Sequence, residues 1–325
     1  MDSLSLDELD AQSDSFDRHV ADSPDVDGYC SSSDWILPAA QALMPSRTPF
    51  LRRGEHGYVA LMGVEYPSGH VLQPLEAMWG LACPVVGGDE RALAAELSAE
   101  LQRSARRAAL MLCGLRRESA RFIALARALA GRYDLRVGPT VLRYCADLSA
   151  GVDAFLKSRS PNFRVSLKRA RRRAGERGLM FERCLVAPND AAADAAYDRL
   201  LAVEARSWKG REGVGIAASE MLGFYRLMIR RLVKRDGLRL MFARHEDRDV
   251  AYILGGVRGR SYRGLQFSFD AEYEQLSLGN LCQFQQIVQL CDEGIAQYDL
   301  GAEVEYKRRW GEQAQETVTL LALPR

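Results

Sequence analysis

The stretch that decides the fold reads S-Y-R-G-L-Q-F-S-F-D over residues 261–270 and A-E-Y-E-Q-L-S-L-G-N over residues 271–280. The first ten residues alternate between apolar and small or polar side chains, as a half-buried strand does. The next ten are polar and narrow to Leu278-Gly279-Asn280, after which apolar residues recur at helical spacing. The pattern predicts a strand, a tight loop and a helix in succession, and Gly294 is expected to close the helix.

The loop before this helix is a candidate anion-binding site. The first turn of a helix presents N–H groups that lack intrahelical acceptors, and it carries the positive end of the helix dipole. We therefore predict that Ser277, Leu278, Gly279 and Asn280 form a backbone cradle for a pyrophosphate. A plain loop that enters a helix is the alternative, and the order of the surrounding elements favours the cradle.

Composition narrows the class of protein. The 325 residues are 47% hydrophobic and 27% charged, and the net charge of +1 predicts no bulk attraction to DNA or to a membrane surface. Seven cysteines lie scattered without paired spacing, which favours reduced thiols and a cytoplasmic location. The four histidines show no metal-ligand spacing, and we expect neither a metal nor a membrane span.

The chain divides into four segments. Residues 1–45 are rich in Asp and Ser and are expected to form a disordered acidic tail. Residues 46–150 predict the order strand, strand, helix, strand, helix, strand, with the first helix over residues 90–106. Residues 151–178 predict a basic connecting helix, because Lys157 to Arg177 contain nine Lys or Arg and one Glu. Residues 179–325 predict a second alternation in the order β-α-α-β-β-β-α-β-α-β, with strands over residues 238–245 and 250–258.

The later part of this second alternation repeats the order of the first half. The repetition predicts an α/β protein with two tandem domains, each a mixed, mostly antiparallel sheet flanked by helices. The helix start in the first half carries Asp89, whose carboxylate would repel a phosphate. The first half is therefore interpreted as a degenerate copy without catalytic function, and residues 179–325 as the catalytic domain.

Four motifs give the second half a resemblance to a known family. They are F-R-V-S-L-K-R-A-R-R-R at 163–173, E-A-R-S-W-K-G-R-E-G at 204–213, F-D-A-E-Y through L-S-L-G-N at 269–280, and Y-D-L-G-A-E-V-E-Y-K-R-R-W at 298–310. With the element order, they resemble the GNAT acyltransferase fold. The tandem arrangement is similar to the cellulose-biosynthesis-type (CelD/BcsL) acetyltransferases and, more distantly, to Fem-type aminoacyl transferases.

The sequence departs from that family at two places. The family loop commonly reads S-P-G where this chain has Ser277-Leu278-Gly279, which leaves the cradle plausible. The family has Gly-Thr-Ala where residues 213–215 of this chain read G-V-G. This change affects the part of the site that is expected to bind the acceptor substrate.

The resemblance implies an N-acyltransferase. The donor would be acetyl-CoA, a longer acyl-CoA or an acyl carrier protein, and a primary amine of a sugar, metabolite or peptide would attack the thioester directly. Such chemistry needs positioning, a base for the amine, oxyanion donors and a proton for the leaving thiolate. The oxyanion donor implied is a backbone N–H near Phe269.

The catalytic candidates lie near the predicted strand ends. Tyr306 corresponds to a tyrosine that protonates the thiolate in related folds, with packing as the alternative. Asp270 and Glu303, together with Glu305, are candidate bases, and a salt bridge or helix cap is the alternative for each. Lys307 is a candidate for binding an anionic group, and an ordinary surface lysine is the alternative.

The substrate-binding candidates lie in the W-K-G-R region. Glu204 and Trp208 are four residues apart on one face of a helix end, and Lys209 follows them. We expect these three residues to border the acceptor cleft, with core packing as the alternative for Trp208.

Two other functions remain open from the sequence. The first is a Fem-like transferase with the same fold, whose donor is aminoacyl-tRNA. The arginine-rich helix favours this function, and the near-neutral net charge argues against it. A non-enzymatic binding module on the same fold is the other, and the donor loop argues against it.

Overall fold

The computed structural model describes residues 1–104 and 107–325, which form two compact units. The first unit contains residues 1–142 and 316–325, and the second contains residues 143–315. Each unit combines helices with a mixed, mostly antiparallel sheet, which confirms the predicted fold class. No helix in these ranges is long and apolar enough to cross a membrane.

The first unit contains the elements that the first half of the sequence predicts, with several additions. Its elements in chain order are β1 (Asp2–Leu4), α1 (Leu6–Ala11), α2 (Ser13–Ala21), α3 (Ser33–Leu43), β2 (Thr48–Arg53), β3 (Tyr58–Tyr66), β4 (Gly69–Pro74), β5 (Val85–Val86), α4 (Glu90–Arg103), β6 (Ala109–Leu115), α5 (Ala120–Leu129) and the first part of β7 (Tyr133–Asp147). The helix predicted over residues 90–106 includes residues 105–106, which lie outside the described ranges. Strands β4 and β6 are parallel, and α4 connects them.

The second unit begins with the last residues of β7. Its further elements are α6 (Gly151–Ser158), α7 (Pro161–Glu176), β8 (Met180–Arg183), α8 (Asp190–Arg206), α9 (Trp208–Arg211), α10 (Met221–Lys234), β9 (Leu238–His245), β10 (Arg248–Arg258), β11 (Ser261–Phe269), α11 (Leu278–Asp292), β12 (Gln297–Ala302) and the start of β13 (Gln313–Pro324). The strand order is β7-β12-β11-β10-β9-β8, and β11–β12 is the parallel pair. The strand, loop and helix predicted at residues 261–292 are confirmed.

Helix α11 occupies the centre of the core of the second unit. Leu278, Leu281 and Ile287 are fully buried in a cluster that also contains residues of α7 and β10. The helix ends where the sequence predicts, because Gly294 has φ of +74° and the Ile295 N–H donates to the Leu290 carbonyl (2.9 Å).

The first correction concerns residues 1–45. They form β1 and three helices, and Leu9, Phe16 and Leu37 are at most 1% exposed. The expectation of a disordered tail fails because its few apolar residues fall on the inner faces of short helices. Several of its acidic groups also have partners: Asp17 accepts hydrogen bonds from the N–H and the hydroxyl of Ser33, both at 2.8 Å.

The second correction concerns the segment boundaries. Helix α7, predicted as a connection, belongs to the second unit, and residues 316–325 belong to the first. Within the first unit β13 pairs antiparallel with β6, with Leu320 opposite Leu112 and Ala322 opposite Leu110. The sequence pattern of β13 predicts a strand but does not choose its partner, since any apolar strand of suitable length satisfies the same alternation.

Phe16→Ala tests the packing of the N-terminal segment. Phe16 is fully buried and lies edge-on to Tyr58, with 5.4 Å between ring centroids. Removing the ring should lower the free energy of unfolding by about 3–5 kcal/mol, measured by urea denaturation. Arg18→Ala, on the exposed side of the same helix, is the control and should change it by less than about 0.5 kcal/mol. If Phe16→Ala changed the free energy of unfolding equally little, the expectation of a disordered N-terminal tail would stand.

Candidate active site

The parallel strands β11 and β12 separate soon after they begin. In the part of the chain that the structure describes, their pairing covers Ser261↔Gln297, Tyr262↔Tyr298 and Arg263↔Asp299. Strand β11 then continues to Phe269 beside β10 alone. A register shift between β10 and β11 at Leu254/Gly255 accompanies the separation, as expected for a bulge that increases local twist. One edge of β11 is therefore open.

The backbone of Phe267 faces this open edge. The Asp270 N–H donates to the Val250 carbonyl (2.8 Å), so Ser268 and Gln266 are the β11 residues in register to bond β10. Successive strand residues direct their N–H and C=O groups to opposite edges. Phe267 therefore presents both groups to the opening, two residues before the predicted position of an oxyanion donor.

The N-terminus of α11 lies against the same strand. Ser277 adopts the left-handed conformation (φ of +57°), which turns the chain into the helix. A Cβ on Gly279 would lie 2.8 Å from the ring of Phe267, so glycine allows this close approach. Leu278 is fully buried, and it offers only its backbone to a ligand. Ser277 and Asn280 face a cavity.

This cavity, of about 660 Å³, lies within the second unit. One wall is α7, through Asn162, Phe163, Ser166, Leu167 and Ala170. Other walls are Ser277 and Asn280 of the α11 entrance and the segment from Arg308 to Glu312. The volume falls in the range of small-molecule sites.

Trp310 forms the apolar floor at one end of the cavity. It is 1% exposed, stacks on Phe155 and meets Phe163 edge-on at 4.8 Å between centroids. Arg159 provides charge there and is paired with Glu312. Sequence reasoning did not select Arg159 or Trp310, although the narrow stripe of Phe163, Leu167 and alanines on the basic helix marks the wall that faces the cavity.

Tyr306 lies at the junction of the cavity and the opening. It belongs to the 3-10 segment Glu305–Arg309 and lines the cavity. Its ring lies edge-on to that of Phe267, with 6.0 Å between centroids. Burial raises the pKa of Tyr306 to about 12, so the hydroxyl keeps its proton at neutral pH. This is the protonation state that a general acid needs.

The carboxylates that the sequence selects as bases are held by arginines. Asp270 is fully buried, pairs with Arg206 (2.8 Å) and Arg248 (2.5 Å), and caps the Glu272 N–H (3.1 Å). These contacts support the salt-bridge and helix-cap alternative for Asp270, and its catalytic role stays a prediction. The arginines lie 64 and 22 residues away in the sequence, so local reading could not find them.

Glu303 also has a cationic partner. Its carboxylate pairs with Arg308 and accepts a hydrogen bond from the Tyr144 hydroxyl (3.3 Å). The hydrogen bond from Arg308 lowers the pKa of Glu303, which makes the carboxylate a weaker base. Glu305 is exposed at the start of the 3-10 segment.

The predicted acceptor-side residues divide into three environments. Glu204 is 1% exposed and accepts hydrogen bonds from the Tyr252 hydroxyl (2.9 Å) and the Ile216 N–H (3.3 Å), so it supports the fold. Trp208 is 51% exposed. Lys209 reaches the open edge of β11, where its Nζ donates to the Phe267 carbonyl (3.0 Å).

Lys307 lies at the end of the paired region. Its Nζ donates to the Ala302 carbonyl (2.8 Å), and burial, together with the nearby Arg263, lowers its pKa to about 8. Asp299 lies beside it and pairs with Arg143 (2.5 Å) and Arg263 (2.7 Å). The sequence analysis missed this charged group, because its members come from three separate strands.

Possible metal ligands lie elsewhere in the chain. In the first unit Glu55, His56 and Glu96 bring ligand atoms within 4.8 Å of one another, with Glu55 exposed. Exposed acidic groups commonly approach each other in this way without an ion. The residues around the cavity offer hydroxyls, amides and guanidinium groups, which suit a phosphate-bearing organic ligand better than a metal.

Comparisons with known proteins identify a similar family and similar folds. Residues 161–308 match the sequence model of the acetyltransferase (GNAT) domain family. No curated protein sequence matches the chain.

Several solved structures share the fold. FemX aligns with a TM-score of 0.64 at 13% identity, covering 98% of this chain and 97% of that one. A conserved protein of unknown function from Bacteroides thetaiotaomicron aligns at 0.61 and 11% identity, covering 99% and 98%. The C-terminal domain of a proposed lysylphosphatidylglycerol synthetase from Agrobacterium fabrum aligns at 0.55 and 13% identity, covering 95% and 92%. At these identities the likeness concerns the fold.

The family match covers α7 to the 3-10 segment, and therefore includes the open edge of β11, the α11 entrance and Tyr306. Residues 161–308 of this chain are thus similar to the acetyltransferase (GNAT) domain family.

Proposed function

We propose that the protein is an N-acyltransferase that moves an acyl group from acyl-CoA, or from an acyl carrier protein, to a primary amine. The observation that carries this proposal is the open edge of β11 beside the N-terminus of α11, with a cavity of about 660 Å³ next to both. An acyl-CoA donor needs a site for its pyrophosphate and a strand edge for its amide-containing arm, and we propose that this arrangement provides both. An acyl carrier protein presents the same arm on a single phosphate.

The donor contacts that we propose follow from the helix entrance. The backbone N–H groups of residues 278–280 receive the pyrophosphate, and the Ser277 and Asn280 side chains flank it. Arginines 159, 308 and 309 line the same cavity and can neutralise further phosphate charge. The pantetheine arm then runs along the open edge of β11 towards Phe267.

The reaction needs no covalent enzyme intermediate. The amine lone pair forms the new C–N bond, and the carbonyl π electrons move to oxygen, which accepts a hydrogen bond from the Phe267 N–H. When the carbonyl reforms, the C–S bond breaks and its electron pair goes to sulfur, which takes the proton of Tyr306. The Tyr306 phenolate then regains a proton from water. The excess amine proton leaves to water, because Asp270 and Glu303 are both held by arginines.

The acceptor is a sugar amine, a metabolite amine or a peptide lysine. We propose that exposed Trp208 and Lys307 contact it, with Lys307 binding an anionic group. Since the pKa of Lys307 is lowered to about 8, most of its positive charge is present at pH 7, and the charge is lost as the pH rises through 8. The cytoplasm, where acyl thioesters are made, is the proposed location.

An aminoacyl-tRNA donor is the second candidate. The observation that favours it is α7, which lines the cavity with one face and carries six Lys or Arg between Arg164 and Arg173. A binding module without activity is the third, and it would bind a donor without turning it over.

Native mass spectrometry distinguishes these candidates. The purified protein is offered acetyl-CoA, palmitoyl-CoA and bulk tRNA together. We expect a complex with a CoA ester, followed by release of free CoA when glucosamine, lysine or a lysine-containing peptide is added. A tRNA complex alone would favour the second candidate, and a stable CoA complex without turnover would favour the third.

Asn280→Asp tests the donor site. The change places a carboxylate at the cavity without adding volume, and near a helix N-terminus it should leave the fold intact. CoA binding should weaken by about 1–3 kcal/mol, or roughly 5- to 150-fold, in calorimetry. Asn189→Asp makes the same change at the N-cap of α8, away from the cavity, and should leave affinity unchanged. Equal affinities for both variants would exclude the cradle.

Tyr306→Phe tests the proton donor. The ring is kept and only the hydroxyl is lost, so donor affinity should persist while turnover falls by about 10²–10⁴-fold. Tyr144→Phe, which removes a hydroxyl bonded to Glu303, is the control and should retain most activity. Wild-type turnover by Tyr306→Phe would assign the acid to water or another group. The assay follows CoA release.

A further inference from the structure

Lys209 is the second residue of the short helix α9, which follows α8 after a turn at Ser207. The hydroxyl of Ser207, which is fully buried, donates to the Glu204 carbonyl (2.7 Å) and accepts from the Gly210 N–H (3.3 Å). A Cβ on Gly210 would lie 2.4 Å from the same Glu204 carbonyl, so the turn requires glycine after Lys209. This close contact explains the glycine of the W-K-G-R motif, and it fixes the position of the Lys209 backbone.

The ammonium group of Lys209 lies at the open edge of β11. Its Nζ donates to the Phe267 carbonyl (3.0 Å) and to the Gln266 side-chain oxygen (3.3 Å). Gln266 is itself fixed, because its amide donates to the hydroxyl of buried Tyr225 (3.0 Å). Among the described residues these are the acceptors for two of its three N–H groups, so one donor is left for a ligand oxygen.

The direction of the Phe267 backbone places this donor beside the proposed oxyanion position. The N–H and C=O of one strand residue point to the same edge, so Lys209 bonds the carbonyl on the side where the Phe267 N–H is also presented. We infer that Lys209 donates its remaining N–H to the thioester carbonyl oxygen and stabilises the oxyanion together with the Phe267 N–H. This inference rests on the proposed acyl transfer.

The role requires a charged lysine. Burial lowers the pKa of Lys209, and the Glu204 carboxylate acts against this shift. The titratable groups next to its partners are Tyr225 on α10, which accepts from Gln266, and Tyr252 on β10, which donates to Glu204. Tyr306 lies edge-on to Phe267, and burial raises its pKa to about 12. Burial raises the pKa of Tyr225 to about 12 and that of Tyr252 well above its usual value, so neither titrates near neutral pH. The oxyanion contact is therefore lost on the alkaline side, when Lys209 releases its proton.

The test compares three variants with acetyl-CoA and the amine that gives the fastest CoA release. Lys209→Met keeps the length of the side chain and removes the charge, and kcat should fall by about 10²–10³-fold, as for loss of an oxyanion donor. The KM for acetyl-CoA should stay within about threefold of wild type. Lys209→Arg should recover part of the rate. Lys234→Met, at a surface ion pair with Asp190, is the control and should leave kcat unchanged.

The pH profile separates catalysis from structural support. The wild-type rate should fall at alkaline pH, and Lys209→Arg should move that fall to higher pH because a guanidinium stays charged. Lys307→Met, measured in parallel, identifies any alkaline change that belongs to Lys307. Normal kcat of Lys209→Met, or a loss confined to KM and melting temperature, overturns this inference alone. Absence of transfer by the wild type with every donor overturns the proposed function as well.

Discussion

The separation of two parallel strands after three residue pairs is the constraint on which the candidate site depends. A strand that continues without a neighbour leaves backbone donors and acceptors unpaired, and such groups require partners. Here part of that requirement is met by Lys209, which bonds the Phe267 carbonyl. We propose that the adjacent N–H bonds a ligand, which would make the opening in the sheet a binding surface.

The end of the paired region is fixed by buried charge. Asp299 accepts from the Gly301 N–H (2.7 Å) and pairs with arginines from β7 and β11. Burial opposes ionisation of Asp299, but the two arginines dominate and lower its pKa. Breaking a buried pair of this kind leaves an uncompensated charge and is strongly destabilising. The network therefore fixes the point where β11 and β12 part.

Helix α7 combines packing with charge. Leu167, Ala170 and Ala174 are buried on one side, while its arginines lie on the rest of the surface. Such a helix gains little from its own sequence, since like charges repel along it. The α7 residues that line the cavity are uncharged, among them Asn162 and Ser166, and the arginines of the helix lie outside that lining.

Local patterns were sufficient to predict most of the elements. Alternation identified β9, β10 and β11, helical spacing identified α11, and Gly294 marked its end, because these signals depend on neighbours within a few residues. The loop at Ser277–Asn280 and Tyr306 were also selected from the sequence, and the structure brings them to one cavity.

Pairs of residues that lie far apart in the chain could not be predicted from the sequence alone. Nothing near Asp270 indicates that Arg206 and Arg248 hold it, and nothing near Glu204 indicates that Tyr252 does. The acidic N-terminal segment was misjudged because composition ignores which face its few apolar residues occupy. The sequence by itself determined the elements and the candidate loop through local periodicity and turn chemistry. Only the tertiary structure decided which carboxylates are neutralised, which strand β13 joins and that Lys209 reaches β11, because pairing across distant segments depends on packing in three dimensions.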